Sequence, residues 1–112
     1  MSQPQSQADL VALLSSRGVV RDERVRAALL ATDRAIYVAH KPASTLRTGA
    51  AASKGFKALS YWDRAMGLGF GATISAPRIH AMALELLKDH LTEGKRVLDV
   101  GCGSGYRSWA RA

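Results

Sequence analysis

The segment that most restricts the fold of this chain lies near its C-terminal end, where a short apolar run leads into closely spaced glycines. Residues 96–100 read Arg-Val-Leu-Asp-Val, and Gly101, Gly103 and Gly105 follow at alternate positions. A short apolar run bounded by turn residues is typical of a buried strand in a parallel sheet. Glycine lets the backbone turn tightly near a ligand, and the start of the next helix presents unpaired N–H groups. The segment therefore predicts a strand–loop–helix unit of an α/β fold, with a ligand-free turn as the alternative interpretation.

Two short amphipathic helices are predicted before this unit, near the N-terminus. Ser6 can cap the first helix, and Gly18 can end it, because glycine adopts the left-handed conformation at little cost. Asp22 can cap the second helix, in which Val25 and Leu29 lie on one face. The charged residues between them predict a solvated opposite face.

A third helix is predicted after a long stretch without periodicity. Residues 41–71 show neither alternation nor a sustained apolar stripe, so they are predicted to form a loop. Ser75 can cap the helix that follows, with Pro77 in its first turn. The residues at helical spacing that predict this helix are Ile79, Met82, Ala83, Leu86, Leu87 and His90.

Composition and charge limit the functional classes. The chain has 112 residues and a formal charge of +7, but apart from Lys95 and Arg96 its basic residues are spread singly, and none alternate with aromatics. We therefore expect no nucleic-acid partner. An apolar run of roughly 18 to 20 residues and a secretory leader are both lacking, which predicts a cytoplasmic protein without a membrane partner. The single cysteine, Cys102, predicts neither a disulfide nor a metal site.

Two motifs resemble those of known methyltransferases. The loop sequence Asp-Val-Gly-Cys-Gly-Ser-Gly, which ends at Gly105, resembles the first cofactor motif of S-adenosylmethionine-dependent methyltransferases. Residues 69–81, which contain Thr-Ile-Ser-Ala-Pro, resemble the signature of the protein-L-isoaspartate (D-aspartate) O-methyltransferase family. Residues 14–20 and the run Ala-Thr-Asp-Arg at 31–34 are also similar to this family.

This resemblance implies a fold, a cofactor and a reaction. The implied fold class is α/β, the N-terminal part of a Rossmann-like S-adenosylmethionine-dependent methyltransferase fold. The implied reaction moves a methyl group from S-adenosyl-L-methionine to the free carboxylate of L-isoaspartyl and D-aspartyl residues, a step in the repair of damaged proteins. The implied partners are peptides and proteins that contain such residues, and we expect a monomer.

The family resemblance also implies roles for individual residues. Ser75 is the implied catalytic residue. The implied cofactor-binding residues are Ala72, Thr73, Ile74, Ser75, His80, Asp99, Val100, Gly101, Cys102, Gly103 and Ser104.

The sequence departs from the family pattern in two ways. Residues 43–60 are an insertion with three basic residues and no acidic one, and the chain ends at Ala112, where the family pattern continues. We expect a helical segment over residues 1–42, an inserted loop over 43–60 and the incomplete start of the methyltransferase domain over 61–112. The alternative to an enzyme is a truncated, non-catalytic fragment or interaction module of the same family.

Overall fold

The elements of the fold are taken from a computed structural model that describes residues 2–38, 57–69 and 71–110. The α-helices include α1 (Gln7–Ser16), α2 (Glu23–Ala31), α3 (Pro77–Leu87) and α4 (Tyr106–Trp109), and short 3-10 helices span Arg34–Ile36 and Lys88–His90. Residues 57–59 are also helical. The strands are β1 (Met66–Gly69) and β2 (Ala72–Ile74). Most of the expected insertion at 43–60 lies outside the described residues. Within the described ranges, no helix has both the length and the apolar character needed to cross a bilayer.

The starts of the two N-terminal helices confirm the capping predictions. The Ser6 hydroxyl accepts the backbone N–H of Asp9 at 3.1 Å. The Asp22 carboxylate accepts the N–H groups of Arg24 at 2.8 Å and Val25 at 3.3 Å. After α1 the chain turns through Gly18, whose φ is +73°. Both helices therefore begin where a local side chain satisfies the first free N–H groups.

A small hairpin begins within the stretch predicted to be a loop, with β1 inside that stretch and β2 directly after it. β1 pairs antiparallel with β2, with Met66 opposite Ile74 and Gly67 opposite Thr73. The prediction of a loop over residues 41–71 is therefore wrong at β1, and it is also wrong at residues 57–59, which are helical. Two of the four β1 residues are glycines, so the strand carries no alternating apolar pattern, and it forms because β2 supplies its hydrogen-bonding partner.

The start of α3 differs from the prediction that Ser75 caps it. Ala76 occupies the N-cap position and makes no side-chain capping bond, while Pro77 is the first helical residue as expected. The cap comes from elsewhere in the chain, because Asp63 Oδ1 accepts the backbone N–H of Arg78 at 3.0 Å. Ser75 lies one residue too early for the task, and its hydroxyl is not used in capping α3.

The buried face of α3 is not the one that carries most of its large apolar residues. Ile79, Met82, Leu86 and Leu87 are between 44% and 80% exposed. The buried positions are Pro77, His80, Ala81, Leu84 and Glu85. α3 turns this second face toward the N-terminal helices, since Glu85 Oε1 accepts the backbone N–H groups that precede α2, from Arg21 at 2.6 Å and Asp22 at 2.8 Å.

The predicted parallel strand at residues 96–100 does not form among the described residues. This segment has no ladder partner there, and Leu98 and Val100 are 86% and 83% exposed. An extended run becomes a strand only when a neighbour pairs with its N–H and C=O groups. The nearby apolar side chains of α3 are exposed as well.

The core lies between α1, α2 and α3 and reaches the start of α4. Leu10 and Leu14 of α1 pack with Leu29 of α2, Leu84 of α3 and Tyr106 of α4 in one buried cluster. The N-terminal helices and the residue that follows the glycine loop therefore belong to the same core.

Candidate functional site

A cleft of about 70 Å³ lies between the hairpin, the start of α3 and the glycine loop. Its lining residues are Leu68, Thr73, Ile74, Ser75, His80, Gly101, Cys102, Gly103, Ser104, Tyr106 and Arg107. The structure thus brings together all the sequence-predicted site residues except Ala72, Asp99 and Val100.

The glycine loop has a backbone that only glycine adopts readily. The φ angles of Gly101, Gly103 and Gly105 are +78°, +57° and +87°, a region that costs other residues roughly 1–2 kcal/mol each. The N–H of Gly105 donates to the carbonyl of Cys102 at 2.9 Å and closes the turn. A Cβ on Gly103 would lie 3.6 Å from Leu68 Cδ1, so the loop packs against β1. The loop therefore presents bare backbone beside the cleft.

Ser75 lies between β2 and α3 and is exposed on the wall of the cleft. Because Asp63 caps α3, the Ser75 hydroxyl is not tied to the helix N-terminus. A hydroxyl can donate one hydrogen bond and accept two. Ser75 can therefore orient a polar group of a ligand without weakening the helix cap.

His80 supplies a buried polar atom to the same cleft. The residue is 7% exposed, and its Nδ1 has no hydrogen-bond partner among the described residues. Burial lowers the pKa of His80 to about 4; the positive charges of Arg34 and Arg107 add to the shift, and Asp99 opposes it. The imidazole is therefore neutral at pH 7. An unpaired buried nitrogen is costly unless a ligand or water satisfies it, which fits a polar ligand in this cleft.

Asp99 lies outside the cleft and holds the start of α4. Its two carboxylate oxygens accept Arg107 Nη2 at 3.1 Å and Ser108 Oγ at 2.8 Å. The hydrogen bond from Arg107 is the largest cause of a lowered pKa at Asp99, and the hydrogen bond from Ser108 is the next. In this structure the carboxylate therefore braces the two ends of the glycine loop. Val100 lines a separate apolar cavity of about 230 Å³, and Ala72 is exposed on β2.

Comparison with known proteins decides the family. The family model for protein-L-isoaspartate(D-aspartate) O-methyltransferase matches residues 5–111. The chain belongs to this family. A protein-L-isoaspartate O-methyltransferase of Triticum aestivum is 43% identical over 97 residues, which are 87% of this chain and 35% of that protein. One from Anaeromyxobacter dehalogenans is 40% identical over 100 residues, covering 89% of this chain and 40% of the relative.

A solved member of the protein-L-isoaspartate O-methyltransferase family gives the fold. The Plasmodium falciparum protein, crystallised with S-adenosyl-L-homocysteine, matches 95% of this chain with a TM-score of 0.75 at 31% identity. The chain covers 40% of that protein. The predicted fold class, the N-terminal part of a Rossmann-like methyltransferase fold, is confirmed. This chain spans about 35–40% of the length of these relatives.

Three lining residues of the cleft were not predicted from the sequence: Leu68, Tyr106 and Arg107. Leu68 lies in a strand that the sequence pattern did not reveal. Tyr106 carried a usable signal, because an aromatic residue directly after the loop must lie in the first turn of the next helix. It is 1% exposed and lies against the His80 ring, with ring centroids 5.2 Å apart.

The size of the cleft shows how much of a ligand site the described residues supply. Pockets for small molecules generally measure roughly 300–1,000 Å³, whereas this cleft measures about 70 Å³. The described residues therefore form part of such a site, with the glycine loop and His80 on its walls.

Proposed function

We propose that this chain acts in methyl transfer from S-adenosyl-L-methionine to the free carboxylate of L-isoaspartyl and D-aspartyl residues, a protein-repair reaction. The observation that carries the proposal is the cleft in which Ser75 meets the glycine loop. The family membership supports the same reaction. Because the chain spans only part of its relatives, the reaction is proposed for the protein to which these residues belong.

The donor side of the site rests on the glycine loop and His80. S-Adenosyl-L-methionine, when bound, supplies the methyl group and carries a positive sulfonium. Residues 101–104 can approach it closely because the loop backbone carries few side chains. The low pKa of His80 keeps the ring uncharged at pH 7, so it adds no repulsion beside a cationic ligand. We propose Ala72, Thr73, Ile74, Asp99 and Val100 as further cofactor-side residues, of which Thr73 and Ile74 line the cleft.

The acceptor side needs orientation more than proton transfer. A carboxylate is already ionised at pH 7, so a strong general base is not required. The Ser75 hydroxyl can donate a hydrogen bond to the acceptor carboxylate and so hold one of its oxygens in place. Holding reacting atoms in line at near-attack distance is a large part of catalysis for such a step. Ser75 is therefore the proposed catalytic residue.

The expected partners and location follow from the same proposal. The substrates are peptides and proteins that contain isoaspartyl residues, with no nucleic-acid or membrane partner. We propose a monomer in the cytoplasm, a compartment that fits an exposed free thiol at Cys102.

A labelling assay tests the reaction. The protein to which these residues belong is incubated with S-adenosyl-L-methionine that carries a tritiated methyl group and with an isoaspartyl peptide, and the aspartyl isomer of the same peptide is the control. We expect label in the isoaspartyl peptide only. Ser75→Ala is expected to lower the rate about 10- to 100-fold, the value of one hydrogen bond to a charged group. Label in both peptides, or an unchanged rate in the variant, would contradict the proposal.

A second candidate function is a non-catalytic interaction module of the same family. The cleft that the described residues form favours it, because about 70 Å³ is too small to enclose a whole nucleoside ligand. Calorimetric titration with S-adenosyl-L-homocysteine separates the two candidates. Saturable heat supports the enzyme, and a flat titration supports the module.

A further inference from the structure

A single side chain of α1 connects three other parts of the fold. Gln7 Nε2 donates to the carbonyl of Leu29 at 2.7 Å and lies 3.2 Å from the Tyr106 hydroxyl. Gln7 Oε1 accepts the backbone N–H of Arg34 at 3.0 Å. The side chain is 9% exposed. Its carboxamide therefore joins the end of α2, the 3-10 helix and the start of α4 from inside the core.

Tyr106 carries this connection to the cleft. It directly follows Gly105, the last glycine of the loop, and lines the cleft itself. Its ring lies 5.2 Å from the His80 ring and 5.5 Å from the Tyr37 ring, and the Arg34 guanidinium lies 5.8 Å from its centroid. The hydroxyl of Tyr106 thus contacts α1, while its ring contacts a residue of the candidate site.

The glycine loop needs such an anchor. α4 has four residues, and so short a helix cannot hold its own position by backbone bonds alone. The loop before it contains three glycines with positive φ, and glycine gives up more conformational freedom on ordering than any other residue. Asp99 holds Arg107 and Ser108 by hydrogen bonds, and Tyr106, the buried residue of α4, joins the end of the loop to the core.

We infer that Gln7 is a positioning residue for the candidate site, which acts through Tyr106 to fix the exit of the glycine loop and the ring of His80. The N-terminal helical segment is then part of the donor site, although Gln7 is not among the lining residues. The importance of this role for catalysis rests on the proposed function, whereas the order of the loop can be measured without it.

Three variants of the full chain test the inference. Gln7→Met keeps the side-chain volume and removes all the carboxamide bonds. Tyr106→Phe keeps the ring against His80 and removes only the hydroxyl. Val25→Ala is the matched control, because it opens a space in the core at a residue that is 2% exposed and whose side chain cannot hydrogen-bond to Tyr106. All are measured at a temperature at which each variant remains folded.

Two readouts separate positioning from stability. The first is amide hydrogen exchange of residues 101–106. We expect Gln7→Met and Tyr106→Phe to exchange about fivefold faster, the equivalent of one neutral hydrogen bond, and the double variant to exchange no faster than Gln7→Met. The second is the NMR shift of the His80 ring protons, which should move in both variants because the Tyr106 ring, 5.2 Å away, is no longer held in place through its hydroxyl. Val25→Ala should leave both readouts unchanged.

The inference is overturned if Gln7→Met changes loop exchange and the His80 ring shifts no more than Val25→Ala does. It is also overturned if Tyr106→Phe leaves both unchanged, since the hydroxyl is the proposed link. The affinity for S-adenosyl-L-homocysteine is measured on the same proteins, and we expect about fivefold weaker binding in Gln7→Met and in Tyr106→Phe. A wild-type chain that binds none would contradict the proposed function, while the exchange data would still decide the role of Gln7.

Discussion

Replacing Asp63 by alanine is expected to destabilise the protein by about 2 kcal/mol, because this carboxylate caps α3 from a distant part of the chain. Asp63 Oδ1 accepts the Arg78 N–H at 3.0 Å, and losing a helix cap costs about 1 kcal/mol. The same carboxylate, whose side chain is 9% exposed, forms ion pairs with Arg17 at 3.4 Å and Arg78 at 3.5 Å. Both arginines are half exposed, so the two pairs together add up to about 1 kcal/mol.

Urea denaturation at pH 7 measures this loss as a change in the free energy of unfolding. Asp63→Asn is the matched control, because an amide oxygen still accepts the Arg78 N–H but carries no charge for the arginines. We expect the asparagine variant to lose at most about 1 kcal/mol. A loss of less than about 0.5 kcal/mol in Asp63→Ala, or an asparagine variant as unstable as the alanine variant, would show that Asp63 does not cap α3.

Three further predictions follow from single residues. Gly105→Ala should lower the free energy of unfolding by about 1–2 kcal/mol in urea, because φ is +87° there; an unchanged midpoint would contradict this. The pKa of His80 is about 4 when folded against 6.5 ordinarily, so the unfolded chain takes up the proton first. The stability from the neutral ring is fully present above pH 6.5 and falls by up to about 3 kcal/mol as the pH drops toward 4; His80→Gln should remove that pH dependence. Arg34→Lys should lower the free energy of unfolding by about 2 kcal/mol, because lysine cannot reproduce the fork of a guanidinium. Arg34 is fully buried, and its Nε and Nη2 donate to the carbonyls of Ser60 at 2.7 Å and Arg64 at 3.1 Å. A variant that unfolds at the wild-type temperature would contradict this prediction.

The parts of the fold that depend on residues close together in the sequence were predictable. Ser6 and Asp22 cap helices two or three residues downstream, so the pattern and the structure agree. The same reasoning was wrong for Ser75, since the cap of α3 comes from Asp63, which is 15 residues from the N–H that it accepts. A local pattern cannot show that a carboxylate elsewhere in the chain accepts the free N–H group at the start of the helix.

The faces of α3 show a second reason for disagreement. The apolar stripe through Met82 and Leu86 predicts burial, but both are exposed, whereas Glu85 is 8% exposed. Glu85 can be buried because two backbone N–H groups, those of Arg21 and Asp22, satisfy one of its oxygens. Hydrophobicity alone does not report such a partner. The strand predicted at 96–100 did not form for a related reason, because it needs a neighbouring strand.

The sequence predicted more of the residues that line the cleft than of the strands and helix faces around it. The glycine loop and the run around Ser75 carry most of the cleft, and the structure brings them together although about 25 residues separate them in sequence. Tyr106 and its bond to Gln7 could not be predicted, since the two residues are 99 positions apart. Their pairing is decided by how α1 packs, which no local pattern encodes.

We propose that the cleft between the glycine loop and His80 binds the methyl donor, and two-dimensional NMR with S-adenosyl-L-homocysteine measures this binding residue by residue. We expect saturable shifts of the amides of residues 101–104 and of the His80 ring. We expect little change at Leu87 and Leu91, which line the separate apolar cavity. Saturable shifts confined to that cavity, with residues 101–104 and His80 unchanged, would show that the donor does not bind in the cleft.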